Sequence, residues 1–138
     1  MNWTLARALR WLTAWILAFQ LALAAGAESP DEFARRLGKT KGVDAVVNLR
    51  QDNSLGSIAI ALTPALVGDR ASLEALLAQV GQFAAGRQFR ATVVTPNAAD
   101  SEFFAERLKA AGVGRVKIQP MADFVSIKTT RIFLTPGT

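Results

Sequence analysis

One segment in the second half of the chain constrains the fold more than any other. Residues 89–94 alternate with the two-residue period of a strand whose faces are both largely covered. Pro96 then interrupts the strand, because proline has no backbone N–H to donate. Phe104 and Leu108 recur at helical spacing, and Gly112 is the residue type preferred at a left-handed helix end. The segment therefore predicts a strand, a tight loop and a helix, and a ligand, if there is one, is expected in the loop.

The other predicted elements follow from the same two periodicities. Further strands are predicted at 44–50, 57–62, 116–119 and 131–135, with a weaker candidate at 124–128. The first two form a hairpin, residues 64–69 are predicted to be a loop, and a helix follows over 73–86. Gly81 lies inside that helix, where a glycine costs about 1 kcal/mol relative to alanine. We attribute the presence of glycine at this position to close approach of the helix to the sheet.

The order strand, strand, helix, strand, helix, strand, strand predicts an α+β fold. Because strands and helices alternate with short connections, we expect two helices on one face of a mixed sheet of four to five strands. With 138 residues and 51% hydrophobic content, the chain has room for one domain with a substantial core. The other face must be covered or partly polar. Four basic residues are expected to line it: Arg90, Arg115, Lys117 and Arg131.

Residues 1–27 have the pattern of an export signal in helical form. Two arginines precede an apolar stretch over 11–24, and the small residues at 25–27 fit a signal peptidase site before Glu28. The alternative is an uncleaved membrane anchor, because about 17 apolar residues are the lower limit for spanning a bilayer. In either case residues 28–138 are predicted to be periplasmic, and anchored to the inner membrane if the signal is kept.

Residues 28–41 are predicted to form a short capped helix and a linker, ahead of a single α/β domain at 42–138. Ser29 and Glu32 form a capping box with proline between them, which favours a helix near 30–37. The segment ends in a cluster of four basic residues: Arg35, Arg36, Lys39 and Lys41. This cluster either contacts anionic lipid of the inner membrane or is a solvated helix end whose charges favour the helix dipole.

The composition excludes several classes of function. Residues 28–138 contain 14 basic and 11 acidic residues, a net charge of +3 that is too small and too dispersed for a nucleic-acid partner. The chain has no cysteine and no histidine. A disulfide framework and a reactive thiol are therefore impossible, and neither a metal site nor a cofactor is expected.

The sequence also argues against an enzyme, because the residue types used most often for proton transfer and nucleophilic attack are histidine and cysteine. A hydrolase that uses Ser126 and Lys128 is the remaining alternative, since residues two apart on a strand share a face. Asp100 and Glu102 are a weaker pair, because residues two apart on a helix point away from each other.

From residue 57 onward the pattern resembles the C-terminal OmpA-like domain, the periplasmic module that tethers outer-membrane proteins and motor stators to peptidoglycan. The matching features are the strand 58–62, Leu73 at the entry to a helix, the strand 90–95, the Leu-x-x-x-Gly helix end at 108–112 and the closing strand 131–134. The resemblance implies a two-helix, mixed-sheet fold and a docking function at the cell wall.

The chain departs from that family in the loop that would hold the wall peptide. The family has a Gly-His-Thr-Asp segment after the second strand, and its aspartate acts with a helix arginine. Here the segment is Thr95-Pro96-Asn97, Asp100 or Ser101 stands where the arginine would be, and Arg107 is the nearest arginine. The candidate ligand-binding residues are Asn97, Asp100 and Arg107. The helix begins near Asn97 or Asp100, so Thr95, Asn97 and Asp100 are alternatively explained as cap and turn residues.

Together these patterns predict a non-enzymatic exported envelope protein with an OmpA-like fold. It would act as a docking or adaptor domain that associates with peptidoglycan or with a protein of an envelope assembly. The alternative is a structural subunit of an envelope or secretion complex that pairs through an edge strand, such as 57–62 with its small Ala59 and Ala61.

Overall fold

The computed structural model describes residues 28–121 and 129–137. In this part of the chain the helices are α1 (Pro30–Gly38), α2 (Pro64–Gly68), α3 (Arg70–Gly86) and α4 (Ala98–Ala110). The strands are β1 (Val43–Leu49), β2 (Leu55–Leu62), β3 (Arg90–Thr95), β4 (Val116–Pro120) and β5 (Thr130–Thr135). The predicted signal or anchor at 1–27 and the candidate strand at 124–128 lie outside the described residues.

The five strands form one mixed sheet in the order β1-β2-β5-β3-β4. Three of the pairings are antiparallel, and only β3 with β4 is parallel, since α4 connects these two strands. The α+β class and the mixed sheet are therefore confirmed.

The position of β2 corrects the predicted edge strand. β2, which contains residues 57–62, lies between β1 and β5, so both of its edges are occupied and it cannot accept a further strand. The edges of the sheet are β1 and β4. The alternation in a sequence assigns faces to residues but does not name the neighbours of a strand, and here the last strand inserts in the middle.

The core lies on one face of the sheet and is covered by the helices. Ile60 is paired in register with Ile132, which is paired with Val93, and all three side chains are fully buried. α1 packs into the same core: the Phe33 ring is stacked on the ring of Phe83 in α3, with the ring centroids 3.8 Å apart. The region before residue 42 therefore contributes to the packing of the whole domain.

The prediction of a loop over 64–69 is wrong, because these residues form α2. Thr63 caps this helix by accepting a hydrogen bond from the Leu66 N–H, and proline stands at the first helical position. Leu66 and Val67 are buried, so one turn of helix contributes to the core. Asp69 then caps α3, which begins three residues earlier than predicted.

Two glycines lie where α3 packs against the end of α4. A methyl group on Gly81 would collide with the Cβ of Ala111, at the end of α4, so the close approach is to the neighbouring helix and the predicted contact with the sheet is wrong. Gly112 follows with a positive φ of 107°, as expected of a residue that ends a helix in the left-handed region.

Candidate functional site

The predicted ligand loop is occupied by its own hydrogen bonds. The Asn97 side chain caps α4 by accepting from the Ala99 N–H at 3.1 Å. The Thr95 hydroxyl is buried and forms a hydrogen bond of 2.9 Å with the hydroxyl of Thr130 on the adjacent strand. These polar groups therefore act within the fold, in agreement with the cap and turn interpretation of the loop.

Asp100 and Arg107, the other two candidates, connect α4 to α3. The Asp100 carboxylate pairs with Arg70 at 2.6 Å, and Arg107 pairs with the carboxylate of Glu74, also at 2.6 Å. The ring of Phe103 lies between the two pairs, 4.6 Å from the Arg70 guanidinium and 5.3 Å from that of Arg107. The result is an interhelical ladder of two ion pairs around one aromatic ring.

Two of the three candidate residues, Asp100 and Arg107, are engaged in this ladder. Asp100 is only 14% exposed and its carboxylate is already matched by a guanidinium, so a ligand amine would have to displace Arg70. Glu102 is exposed on the same helix and takes no part in the ladder. Sequence reasoning missed Arg70 and Glu74 because they lie about 30 positions away in the chain.

The four basic residues at the end of α1 differ in their interactions. Arg36 forms two hydrogen bonds with the carboxylate of Glu28, at 2.8 and 3.0 Å, and a third with Gln79 on α3. The hydrogen bond from Arg36 holds the pKa of Glu28 below its ordinary value. Arg35, Lys39 and Lys41, the rest of the cluster, are exposed. Arg36 is therefore a structural residue, and three cations remain on the surface.

The sheet face opposite the helices has a more distinctive composition, and we refer to it as the open face. A row of register partners crosses it from β1 to β4: Val46, Ala59, Phe133, Thr92 and Lys117. These side chains are half-buried or exposed, and none belongs to the core cluster of the described residues. The β1, β2 and β5 part of this row is therefore an apolar, mostly small surface in contact with solvent.

The β3 and β4 side of the open face is basic. Arg90 on β3 and Lys117 on β4 are exposed there, and Arg131 is exposed on the neighbouring strand β5, opposite Val94, as predicted. None of the three is paired with a carboxylate of the described chain. Arg115 lies next to Arg90 at the sheet end, where they help to line a depression of about 380 Å³. The only acidic side chain that the described strands place on the open face is Asp44, on the opposite edge.

The open face thus combines an apolar row with guanidinium and ammonium groups that can bind anionic side chains. The alternation in the sequence predicted the basic residues of the open face. The apolar row could be recognised only from the pairing of five separate strands, which the sequence does not give. A comparison of the chain with protein-family models, with curated proteins and with solved structures finds no match.

Among residues 28–121 and 129–137, no group of three or more carboxylates is placed to hold a metal ion. No helix in these ranges is both long enough and apolar enough to cross a bilayer. The candidate hydrolase residues Ser126 and Lys128 lie outside the described residues.

Proposed function

We propose that this chain is a non-enzymatic exported envelope protein, a docking domain with an OmpA-like fold that binds another protein of an envelope assembly through its open face. The observation that carries the proposal is an apolar row on this face, formed by Val46, Ala59 and Phe133, with the basic residues Arg90 and Lys117 on the strands beyond it. Such a face fits a partner that presents apolar side chains beside carboxylates.

The internal pairing of the ligand loop favours a protein partner over peptidoglycan. In the family that the chain resembles, an aspartate and an arginine must be available for the wall peptide. Here Asp100 is engaged by Arg70, Arg107 by Glu74, and Asn97 by the backbone of its own helix. Wall binding through this loop would require the ladder between α3 and α4 to open.

Cysteine variants of the full chain test the proposal, because the natural chain has no cysteine and each variant carries one unique thiol. Thr92→Cys places a near-isosteric thiol in the middle of the open face, and Gln82→Cys places one on the exposed side of α3 as a matched control. Each variant is produced in the native host and treated with a thiol-directed photo-crosslinker, and the periplasmic and envelope fractions are separated.

We expect the Thr92→Cys protein to be found outside the cytoplasm and to form one discrete protein adduct that the control does not form. Sedimentation with purified sacculi distinguishes docking to peptidoglycan from docking to a protein. An adduct that stays in the supernatant, and does not sediment with the sacculi, is a protein complex. Equal crosslinking of both variants, or recovery of the protein in the cytoplasm, would refute the proposal.

A second candidate function is a structural subunit that pairs through an edge strand. The specific observation in its favour is the exposure of Val46 and Leu49, 49% and 59%, on the edge strand β1.

A further inference from the structure

The two edges of the sheet are protected to different degrees. β4 has five residues, with Lys117 within it and Pro120 at its end, and both residue types discourage the addition of a strand. β1 has seven residues and contains neither lysine nor proline. Its exposed Val46 lies at the middle of the strand. Among the described strands, β1 is therefore the edge that is suited to pairing.

A single hydrogen bond fixes which backbone groups of β1 face outward. The Thr63 N–H donates to the Gly42 carbonyl at 2.9 Å, so the even-numbered residues of β1 direct their N–H and C=O groups towards β2. Ala45 and Val47 consequently direct theirs away from the sheet. These groups form the free ladder that another strand can use.

The sequence of β1 is complementary to itself about a two-fold axis at Val46. A two-fold axis through Val46 places Asp44 opposite Asn48 of the partner subunit, where the amide can donate to the carboxylate. Asn48 uses one N–H for Ser57, and its second N–H is available. Ala45 then lies opposite Val47 of the partner subunit, and these two residues exchange hydrogen bonds on each side of the axis. An axis through Ala45 would instead place the Asp44 carboxylate opposite an apolar valine.

We propose that β1 pairs antiparallel with β1 of a second copy of this chain, about a two-fold axis at Val46. The inference rests on the edge-strand function. It shares Val46 with the row on the open face, but its hydrogen bonds use the outer edge of β1. The pairing joins two five-stranded sheets into one of ten strands. The two apolar rows meet at Val46, and the basic strands β3 and β4 lie at the two far ends, where their like charges are well separated.

Disulfide trapping of full-length Val46→Cys tests the register. In the proposed pairing Val46 forms a non-hydrogen-bonded pair with its own copy, with Cα atoms about 4.5 Å apart, a distance that a disulfide spans. Lys117→Cys on the other edge strand is the matched control. We expect mild oxidation to convert most of the Val46→Cys protein to a covalent dimer on non-reducing gels, and the control to stay monomeric. A Val46→Cys protein that dimerises no more than the control would overturn the proposal.

Co-expression provides a second test of the same register. Asp44→Cys and Asn48→Cys are expected to form little disulfide when each is expressed alone and a mixed disulfide when the two are expressed together. Self-crosslinking of either variant at the level of the mixed pair would show a different register and overturn the two-fold axis at Val46.

Light scattering on the purified full chain gives a readout without thiols. The natural chain is expected at twice the single-chain mass, and Val46→Lys at the single-chain mass, because two ammonium groups would face each other across the axis. Val46 is half exposed, so the variant should keep the circular dichroism of the natural chain. Its urea midpoint should be lower and independent of protein concentration, because it lacks the stabilisation that dimerisation gives to the natural chain. A folded Val46→Lys dimer would refute the pairing. The mass of the Thr92→Cys adduct, formed with β1 unchanged, reports separately on open-face docking, because a partner other than this chain gives a mass different from twice the chain mass.

Discussion

Replacement of Gly81 by alanine tests the closest helix contact of the fold. Gly81 is buried in the middle of α3, and a Cβ built there collides with the Cβ of Ala111 at the end of α4. Both methyl groups are attached directly to backbone, so neither can rotate away. In an isolated helix the same substitution would be favourable, because alanine has a better helix propensity than glycine by about 1 kcal/mol.

The two effects have opposite signs and can be separated by a matched control. Overpacking of a core by one methyl group costs about 1 to 3 kcal/mol. Gly86 lies at the end of the same helix and has no atom within 4 Å of its built Cβ, so Gly86→Ala should stabilise the protein by about 0.4 to 1 kcal/mol. We therefore expect Gly81→Ala to be less stable than Gly86→Ala by about 1 to 3 kcal/mol.

Urea unfolding followed by circular dichroism measures this difference in the free energy of unfolding. The double variant Gly81→Ala with Ala111→Gly moves the methyl group from one helix to the other and should recover most of the loss, with a coupling energy of about 1 to 3 kcal/mol. If Gly81→Ala and Gly86→Ala have equal stability, or if the coupling energy is zero, α3 and α4 do not approach each other as closely as the structure places them.

Three further predictions use the same unfolding assay. Phe33→Ala should cost about 3 to 5 kcal/mol because the ring is fully buried in the common core, and a loss below about 1 kcal/mol would make α1 a separate linker helix. Thr95→Val and Thr130→Val should each cost about 1 to 3 kcal/mol by leaving a buried hydroxyl without its partner, whereas the double variant should be nearly neutral; additive losses would contradict this pairing. Arg36 lowers the pKa of Glu28, so the unfolded chain binds more protons in acid, and the free energy of unfolding should fall as the pH drops from the ordinary range of a carboxyl to the lowered pKa. For a pair in which Arg36 is half exposed this contribution is less than about 1 kcal/mol. It should vanish in Glu28→Gln, and an unchanged acid dependence would count against it.

The fold class was predictable because the local patterns agree with the tertiary structure. Ile58, Ile60 and Leu62 alternate with alanines, and all three are fully buried on the core face of β2. Asn97 and Gly112 mark the two ends of α4 as the residue types indicate. Each of these predictions depends only on residues that are close in the chain, and such signals are strongest where propensity and burial act together.

The incorrect predictions concern contacts between distant residues or helices that are too short for a periodic pattern. α2 has five residues, fewer than two turns, so its apolar residues could not display a helical period, although Thr63 and the proline after it are a start signal. The ion pair of Asp100 was not predicted, because its partner Arg70 is 30 positions away and leaves no local pattern; the assignment of Asp100 as a ligand-binding candidate stays a prediction. The edge strand was misassigned because the order of strands depends on where the final strand inserts.

That insertion determines which surfaces are available for binding. Because β5 lies between β2 and β3, the hairpin partner β1 is displaced to the edge of the sheet and is bonded on one side only. Its core face is held by α1, whose position is set in turn by the stack of Phe33 on Phe83. A partner at the β1 edge would therefore bind a strand that is ordered from the core side and unpaired on the outer side. Loss of the Phe33 ring should therefore reduce dimer formation through β1 more than it reduces the yield of the Thr92→Cys crosslink. The reason is that β3, which carries Thr92, is supported by two neighbouring strands and by α4.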